Sequence, residues 1–336
     1  MLTINTNQKS TQQIEASKTS NNVGVVLLNW NGGEHTIPCI ESLLKGSVIP
    51  WKIVVVDNGS NDGSPDIISD KFPEIYLIRN TKNRGFTGGN NQGIDYLLSK
   101  DIDYIWVLNN DTIVDQNCLG ELLNSAKLYP EIACFTGKIY FDDPSDKIWY
   151  AGGYRNRFHL SSNHIGEGEI EKGKYDEIKN VEFISGCCMF FPRVSLNELS
   201  GFIEDYFIYS EDNEWSWRAL NKGKSLLYVP TAKLWHVISA SVMKGAGDNR
   251  KNGPSSFAWY LMIRNNLWTI RLHSTPVTRK YFAIAINIFI EIRMIINHLI
   301  RRDSQRAKSI FYGMCSGLFR GIPQIDTLNK LSSSSD

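Results

Sequence analysis

Four short apolar runs, each closed by a cluster of polar residues, constrain this chain more than any other feature. Val23–Asn29, Lys52–Asp57, Glu74–Arg79 and Tyr104–Leu108 have strand length and are largely apolar, so they read as buried strands. Helical patterns separate them. Ile37, Ile40, Leu43 and Leu44 share one face of residues 34–45. Ser64-Pro65 reads as the N-cap and first position of a short helix, and residues 87–99 form a third. Strands alternating with helices predict an α/β fold with a mostly parallel central sheet flanked by helices. In such sheets ligands sit beyond the carboxyl ends of the strands. Here those ends carry Asn29-Trp30-Asn31, Asp57-Asn58, Asn83-Arg84-Gly85 and Asn109-Asn110-Asp111, which would meet on one edge as a nucleotide-binding half.

The first strand is not followed by a GxGxxG turn, which argues against a nicotinamide-dependent oxidoreductase. Basic and acidic residues balance, 36 against 35, so no nucleic-acid partner is expected. The six cysteines contain no CxxC pair, and Cys187-Cys188 are too close for an unstrained disulfide, so free thiols in a reducing cytosol are expected. Residues 1–22 lack an apolar core and read as a disordered segment, neither signal peptide nor anchor.

The main domain is expected over residues 23–254, with the nucleotide-binding half at about 23–131 and a second half of mixed pattern at about 132–254. In the second half, strands are expected near 147–150, 181–191 and 225–229, with a helix from Glu211 to Lys222. A C-terminal helical extension follows over 255–326, then a polar tail over 327–336. Gly88 and Gly89 would let a ligand approach the backbone at a helix mouth with free N–H groups, with Arg84 beside the diphosphate or base. Ser185-Gly186-Cys187-Cys188 reads as small-residue packing before a strand rather than a nucleophile site.

Taken in order, several motifs resemble the inverting glycosyltransferases of family 2, which have the GT-A nucleotide-diphospho-sugar transferase fold, and within them the rhamnosyltransferase-like branch. They are Asn29-Trp-Asn-Gly32, Val56-Asp-Asn-Gly-Ser60, Asn83–Asn91, Leu108-Asn-Asn-Asp-Thr112, Ser185–Met189, Tyr209-Ser-Glu-Asp212 with Arg218, and Pro230 followed by His236. The resemblance implies a donor site of Asn29, Asn31, Asp57, Asn58, Arg84, Gly88, Gly89, Asn90, Asn109 and Asn110, in which Asp57 accepts from the pyrimidine ring. It makes Asp111 and His236 ligands of Mg2+ or Mn2+, since a departing nucleoside diphosphate builds negative charge that a cation stabilises. Asn109 departs from the strict aspartate-x-aspartate motif and leaves one carboxylate there. Asp212 becomes the general base that takes the acceptor proton, ionised at a helix N-terminus, with Glu211, Trp215 and Gly186 lining the acceptor.

The donor implied is a nucleotide-diphosphate sugar. L-rhamnose from dTDP-L-rhamnose is the first expectation, followed by a UDP-hexose or UDP-galactofuranose. The acceptor would be a saccharide or a polyprenyl-diphosphate-linked sugar in cell-surface polysaccharide synthesis. A processive synthase would carry a Gln-x-x-Arg-Trp signature, which the sequence lacks, and membrane spans, which it does not show; a non-catalytic sugar-binding module would leave Asp212 unexplained.

Between Phe282 and Arg302, Asn287, Glu291, His298 and Arg302 share one helical face, while Ile288, Phe289, Ile292, Ile295, Ile296 and Leu299 share the other. Glu291 and Arg293 interrupt the apolar run, so the sequence reads as amphipathic rather than spanning. With Arg301, Arg302, Arg306 and Lys308 following, it suits the inner face of the plasma membrane, and the enzyme is expected to be cytoplasmic and peripheral. Packing on the catalytic domain or on a second copy in a homo-oligomer is the other reading.

Overall fold

The computed structural model describes residues 22–237 and 254–321. The expectations for residues 1–21 and for the 327–336 tail lie outside them. In chain order the first half runs β1 (Val23–Asn29), α1 (Gly33–Leu44), β2 (Lys52–Asp57), α2 (Ser64–Lys71), β3 (Tyr76–Arg79), α3 (Gly85–Leu98), β4 (Tyr104–Leu108), β5 (Thr112–Val114) and α4 (Cys118–Leu128). The second half runs β6 (Ile132–Phe141), β7 (Ile148–Tyr150), β8 (Gly153–Arg155), β9 (Ser162–His164), β10 (Lys179–Asn180), β11 (Cys188–Pro192), α5 (Arg193–Leu199), α6 (Glu211–Asn221) and β12 (Ser225–His236). The C-terminal helices are α7 (Ser256–His273), α8 (Val277–Ile300) and α9 (Ser304–Phe319).

One sheet organises the molecule, in the order β10-β12-β6-β11-β4-β1-β2-β3, with β5 added on β12 and β7 on β6. β4, β1, β2 and β3 are mutually parallel. β11 runs antiparallel between β4 and β6, and β12 is parallel to β6. The carboxyl ends of β1, β2, β4 and β12 therefore lie on the same edge as the start of β11. That topology brings Asn29, Asp57, Asn109, Gly186 and His236 to one side.

The central strands are apolar throughout because helices cover both faces. Val25, Leu27, Val55 and Trp106 face one buried cluster, and Val26, Val54, Val56 and Val107 face the other. Burying each such side chain contributes roughly 1.5–3 kcal/mol. α3 lies close against β1 because small residues meet there: a Cβ on Gly93 would fall 2.4 Å from Val26, and one on Gly89 2.3 Å from Leu28.

Strand boundaries expected from the sequence hold for β1, β2 and β4. α2 begins one residue early, with Gly63 at the N-cap, and Ser64 Oγ donates to Asp62 at 2.6 Å instead of capping. α3 begins at Gly85, so Gly88 and Gly89 lie inside the helix rather than at its mouth.

α8 inverts the usual arrangement of a surface helix. Its inward residues are Ala283, Asn287 and Glu291, while Phe289 is 62 % exposed, and Ile292, Ile296, Leu299 and Ile300 also face outward. Asn287 donates to the His159 carbonyl at 2.8 Å and accepts from Asn266 of α7 at 3.0 Å. Burial pushes the Glu291 carboxyl up to about 8. By length and composition alone the helix could also cross a membrane. Its polar inward stripe seats it along the domain.

Candidate active site

On the donor side a connected set of side chains joins the strand ends. Asn29 donates through Nδ2 to Asp57 Oδ1 at 3.0 Å and Ser64 Oγ at 2.8 Å, and accepts from Thr36 Oγ1 at 2.8 Å. Thr36 in turn accepts from Asn110 Nδ2 at 2.7 Å. Asp57 Oδ2 accepts the Ser60 N–H at 3.2 Å, and Ser60 Oγ accepts the Asn31 N–H at 2.9 Å. Both carboxylate oxygens of Asp57 thus have partners, yet each retains lone-pair capacity for a further donor.

Asn58 closes the next loop. Its amide donates to Asn83 Oδ1 and the Gly85 carbonyl, and accepts the Arg84 N–H at 3.0 Å. Gly85 sits at φ +76°, with the Phe207 carbonyl 2.4 Å from where a Cβ would stand. No side chain fits that position. Arg84 pairs with Glu204 at 3.1 Å.

Several expected donor contacts are corrected by these bonds. Asn29 and Asn58 are buried and spend their amides on neighbouring loops, whereas buried Asn90 donates to the Phe86 carbonyl one turn back and leaves its Oδ1 without a partner. Internal amides suit tight strand-to-helix turns because they satisfy backbone groups that water cannot reach. Gly89 serves helix-to-strand packing on Leu28. The mouth of α3 is not free either: Gly85 N–H bonds Asn83 Oδ1, and Thr87 N–H bonds the Phe207 carbonyl.

Across the cleft, Asp111 Oδ1 lies 3.1 Å from His236 Nε2, and the Asp111 carbonyl accepts the Val237 N–H at 2.8 Å. β5 follows Asp111 and pairs with β12, so Thr112 stands opposite His236. Trp149 packs edge-on against the His236 ring, 4.5 Å between centroids. His236 Nδ1 is buried without a protein partner. A carboxylate and an imidazole facing each other form an N/O donor pair suited to a divalent ion. Among the described residues no group of three or more ligating side chains converges, so the remaining positions on such an ion would fall to the diphosphate and water.

The acids open α6. Asp212 Oδ2 accepts the Gly186 N–H at 2.9 Å and Oδ1 accepts the Asn213 N–H at 2.7 Å. The neighbouring Cys187 carbonyl accepts the Asn109 N–H at 3.0 Å. Consecutive residues before β11 therefore tie the acid to the Asn109–Asp111 loop. Burial works against the ionised state expected of Asp212 at the helix N-terminus. Burial pushes Glu211 well above the usual carboxylate range, and the neighbouring Asp212 adds to it. Asp212 is also raised by burial, while the Gly186 and Asn213 N–H groups hold it back. One Glu211 oxygen, Oε2, is buried without a partner.

The turn into these acids is strained. Phe207, Tyr209 and Ser210 all lie in the left-handed region, at φ 65°, 72° and 65°. Each such non-glycine residue costs on the order of 1–3 kcal/mol. Trp215 is corrected as an acceptor contact: it is fully buried, packs edge-on to Phe191 and spends its N–H on the Ser200 carbonyl. Arg218 is a tether, bonding Glu214 at 2.8 Å and the carbonyls of Leu199 and Gly201. Cys187 and Cys188 are buried packing residues whose thiols burial pushes up, as the sequence predicts for residues that are not nucleophiles. Thr36, Glu204 and Trp149 escaped the sequence reading because no motif marks them, and Ser60 closes a motif but was given no role.

A family model described as glycosyl transferase family 2 matches residues 25–200, more than half of the chain. Similar proteins include the N-acetylglucosaminyl-diphospho-decaprenol L-rhamnosyltransferase of Mycobacterium tuberculosis, 25% identical over 264 residues that cover 73% of this chain and 85% of that protein. Another is the dTDP-rhamnosyl transferase RfbF of Shigella flexneri, 26% identical over 77% of this chain and 83% of its own. Among solved structures the fold resembles GalNAc-T7 with UDP, GalNAc and Mn2+ (TM-score 0.57, 16% identity, 81% of this chain and 58% of that one). It also resembles the mannosyltransferase PcManGT from Pyrobaculum calidifontis with GDP-Man and Mn2+ (TM-score 0.52, 12% identity, 90% and 88%). The chain thus spans under two thirds of the first of these structures, and at such identities the likeness is one of fold.

Proposed function

The chain belongs to glycosyl transferase family 2 and has its GT-A fold, and from that premise we propose that it transfers a sugar from a nucleotide-diphosphate donor with inversion, Asp212 serving as general base. The observation that carries this reading is the bridge from Asp212 through Gly186 and Cys187 to Asn109. It ties the proposed base to the Asn109–Asp111 loop through two adjacent residues. A single displacement needs a base at the attacking hydroxyl and no enzyme nucleophile. Asp212 accepts two backbone N–H groups, which fixes its carboxylate and favours its charged form against burial. Glu211 beside it holds a proton more readily and can donate to an acceptor oxygen. On the donor side Asp57 would read a ring N–H through the lone pairs its oxygens retain, and half-buried Asn31 and Arg84 would line the donor.

Asp111 and His236 would hold a divalent metal, Mg2+ or Mn2+, which supplies Lewis-acid stabilisation of the departing diphosphate. L-rhamnose from dTDP-L-rhamnose is the favoured donor because the two relatives named above are rhamnosyltransferases, and a polyprenyl-diphosphate-linked acceptor follows from the first of them. The outward apolar stripe of α8, flanked by exposed Arg279, Arg301, Arg302 and Lys308, supports peripheral binding to the anionic cytoplasmic face of a membrane where such an acceptor resides. The test is a donor screen by thermal shift with Mg2+ or Mn2+. dTDP-L-rhamnose should raise Tm most, and stabilisation by UDP-hexoses alone would overturn the donor assignment. At a hundredfold excess over Kd the expected gain is about 2.7 kcal/mol.

A further inference from the structure

The strained turn that delivers Asp212 is held from outside the sheet by α7, chiefly through one side chain. Phe207, Tyr209 and Ser210 hold this turn in the left-handed region, just ahead of the first residue of α6. Asn265, fully buried in α7, donates through Nδ2 to the carbonyls of Tyr206 at 2.9 Å, Ile208 at 3.0 Å and Tyr209 at 2.7 Å. Its own Oδ1 accepts from Arg264 Nε at 2.8 Å, which fixes which end of the amide faces the turn. Arg264 also donates to the Asp205 and Tyr206 carbonyls, and Tyr206 Oη bonds Thr269 at 2.9 Å. The turn ends at Glu211, one residue before the acid.

We infer that Asn265 is a positioning residue for the Glu211–Asp212 pair, so that α7 belongs to the catalytic machinery although it touches no substrate. The inference rests on Asp212 being the base. Three carbonyls converging on one amide fix the direction in which the chain enters α6, and with it the reach of Asp212 to the acceptor hydroxyl. An aspartate at 265 has the same shape but presents oxygen to oxygen, so the turn would open. A misplaced catalytic group loses rate with little effect on the donor, because the Asn29–Asp57–Thr36–Asn110 network does not depend on the carbonyls that Asn265 holds.

The test compares full-length Asn265→Asp and Asn265→Ser with Asp212→Asn, measuring donor Kd by calorimetry, kcat, and the pH profile of kcat/KM. Both Asn265 variants are expected to keep donor Kd within about twofold and to lose kcat by roughly 10–100-fold, the scale of a small misplacement. Serine retains one donor and should lose less than aspartate. The acid limb of the profile should move to lower pH as water reaches the loosened pair. If the aspartate variant does not fold, the serine variant decides alone. Unchanged kcat, or loss of donor binding in parallel with kcat, overturns the inference. An active Asp212→Asn instead overturns the base assignment on which it rests.

Discussion

The donor side and the acid turn of this site are built on opposite terms. Around Asp57 nearly every polar atom has an internal partner, and Asn29, Thr36, Ser64 and Asn110 form one bonded chain. Around Asp212 the backbone is held in the left-handed region at three non-glycine residues, and a buried carboxylate oxygen of Glu211 lacks a partner. The donor side stabilises the fold and holds a shape in readiness for a ligand. The acid turn is costly to the fold, and its cost lies where the chemistry would occur. Functional groups that strain a structure tend to be replaceable with a gain in stability and a loss of activity. Structural groups give the reverse.

The largest effect should come from Asp212→Asn. Transfer should fall by roughly 10²–10⁴ while donor affinity, measured by calorimetry, stays near wild type. Equal loss of both would make the residue a helix cap and erase the contrast between the two sides. Next, Asp111→Ala should weaken metal-dependent donor binding by on the order of 100-fold or more, as loss of a metal ligand does, with the melting temperature of the free protein little changed. Donor binding equal to wild type in the presence of Mn2+ would remove Asp111 from the metal.

A pair of smaller substitutions tests the signs directly. Glu211→Gln should stabilise the protein at neutral pH, because burial raises this carboxyl. A raised acid binds its proton more tightly in the folded state than in the unfolded one. Stability is therefore lost as pH climbs from the unfolded pKa toward the folded one, and glutamine is spared that loss. Urea unfolding at pH 4 and pH 7.5 should show the gain at the higher pH only. Asn29→Ala should instead destabilise by about 1–3 kcal/mol, since Asp57, Ser64 and Thr36 lose a buried partner together. If both variants shift stability the same way, the comparison fails. The smallest effect is expected at the periphery. Phe289→Ser with Ile296→Ser should reduce sedimentation with anionic vesicles and leave transfer to soluble acceptors intact, and high salt should weaken wild-type binding only in part. Unchanged vesicle binding, or a change in oligomeric state instead, would assign the face to a second copy.

The parallel half was legible because its strands announce themselves twice, by apolar runs and by the polar residues that end them. β1, β2 and β4 fall where those runs do. The gathering of Asn29, Asp57, Asn109 and Asp111 on one edge followed from topology alone. What the sequence could not show was which of these side chains face inward. Asn29 and Asn31 are two residues apart and chemically identical, yet one is fully buried and the other lies partly open. Asn265 was invisible for a related reason. Asn265 stands between Arg264 and Asn266, so nothing local marks its amide as buried, and its partners lie 56 to 59 residues earlier in the chain. The two faces of α8 were legible as well, but periodicity alone does not say which of them the protein covers.

A calorimeter would register α8 only faintly. The heat-capacity change of unfolding arises from side chains that are dry in the native state and hydrated afterwards. Phe289, Ile292, Ile296, Leu299 and Ile300 are hydrated in both, and so contribute little to that change or to the denaturant slope. In water the chain should therefore unfold with the thermodynamic size of a shorter protein and a flatter dependence of stability on temperature. Covering the helix with anything apolar would restore the missing increment.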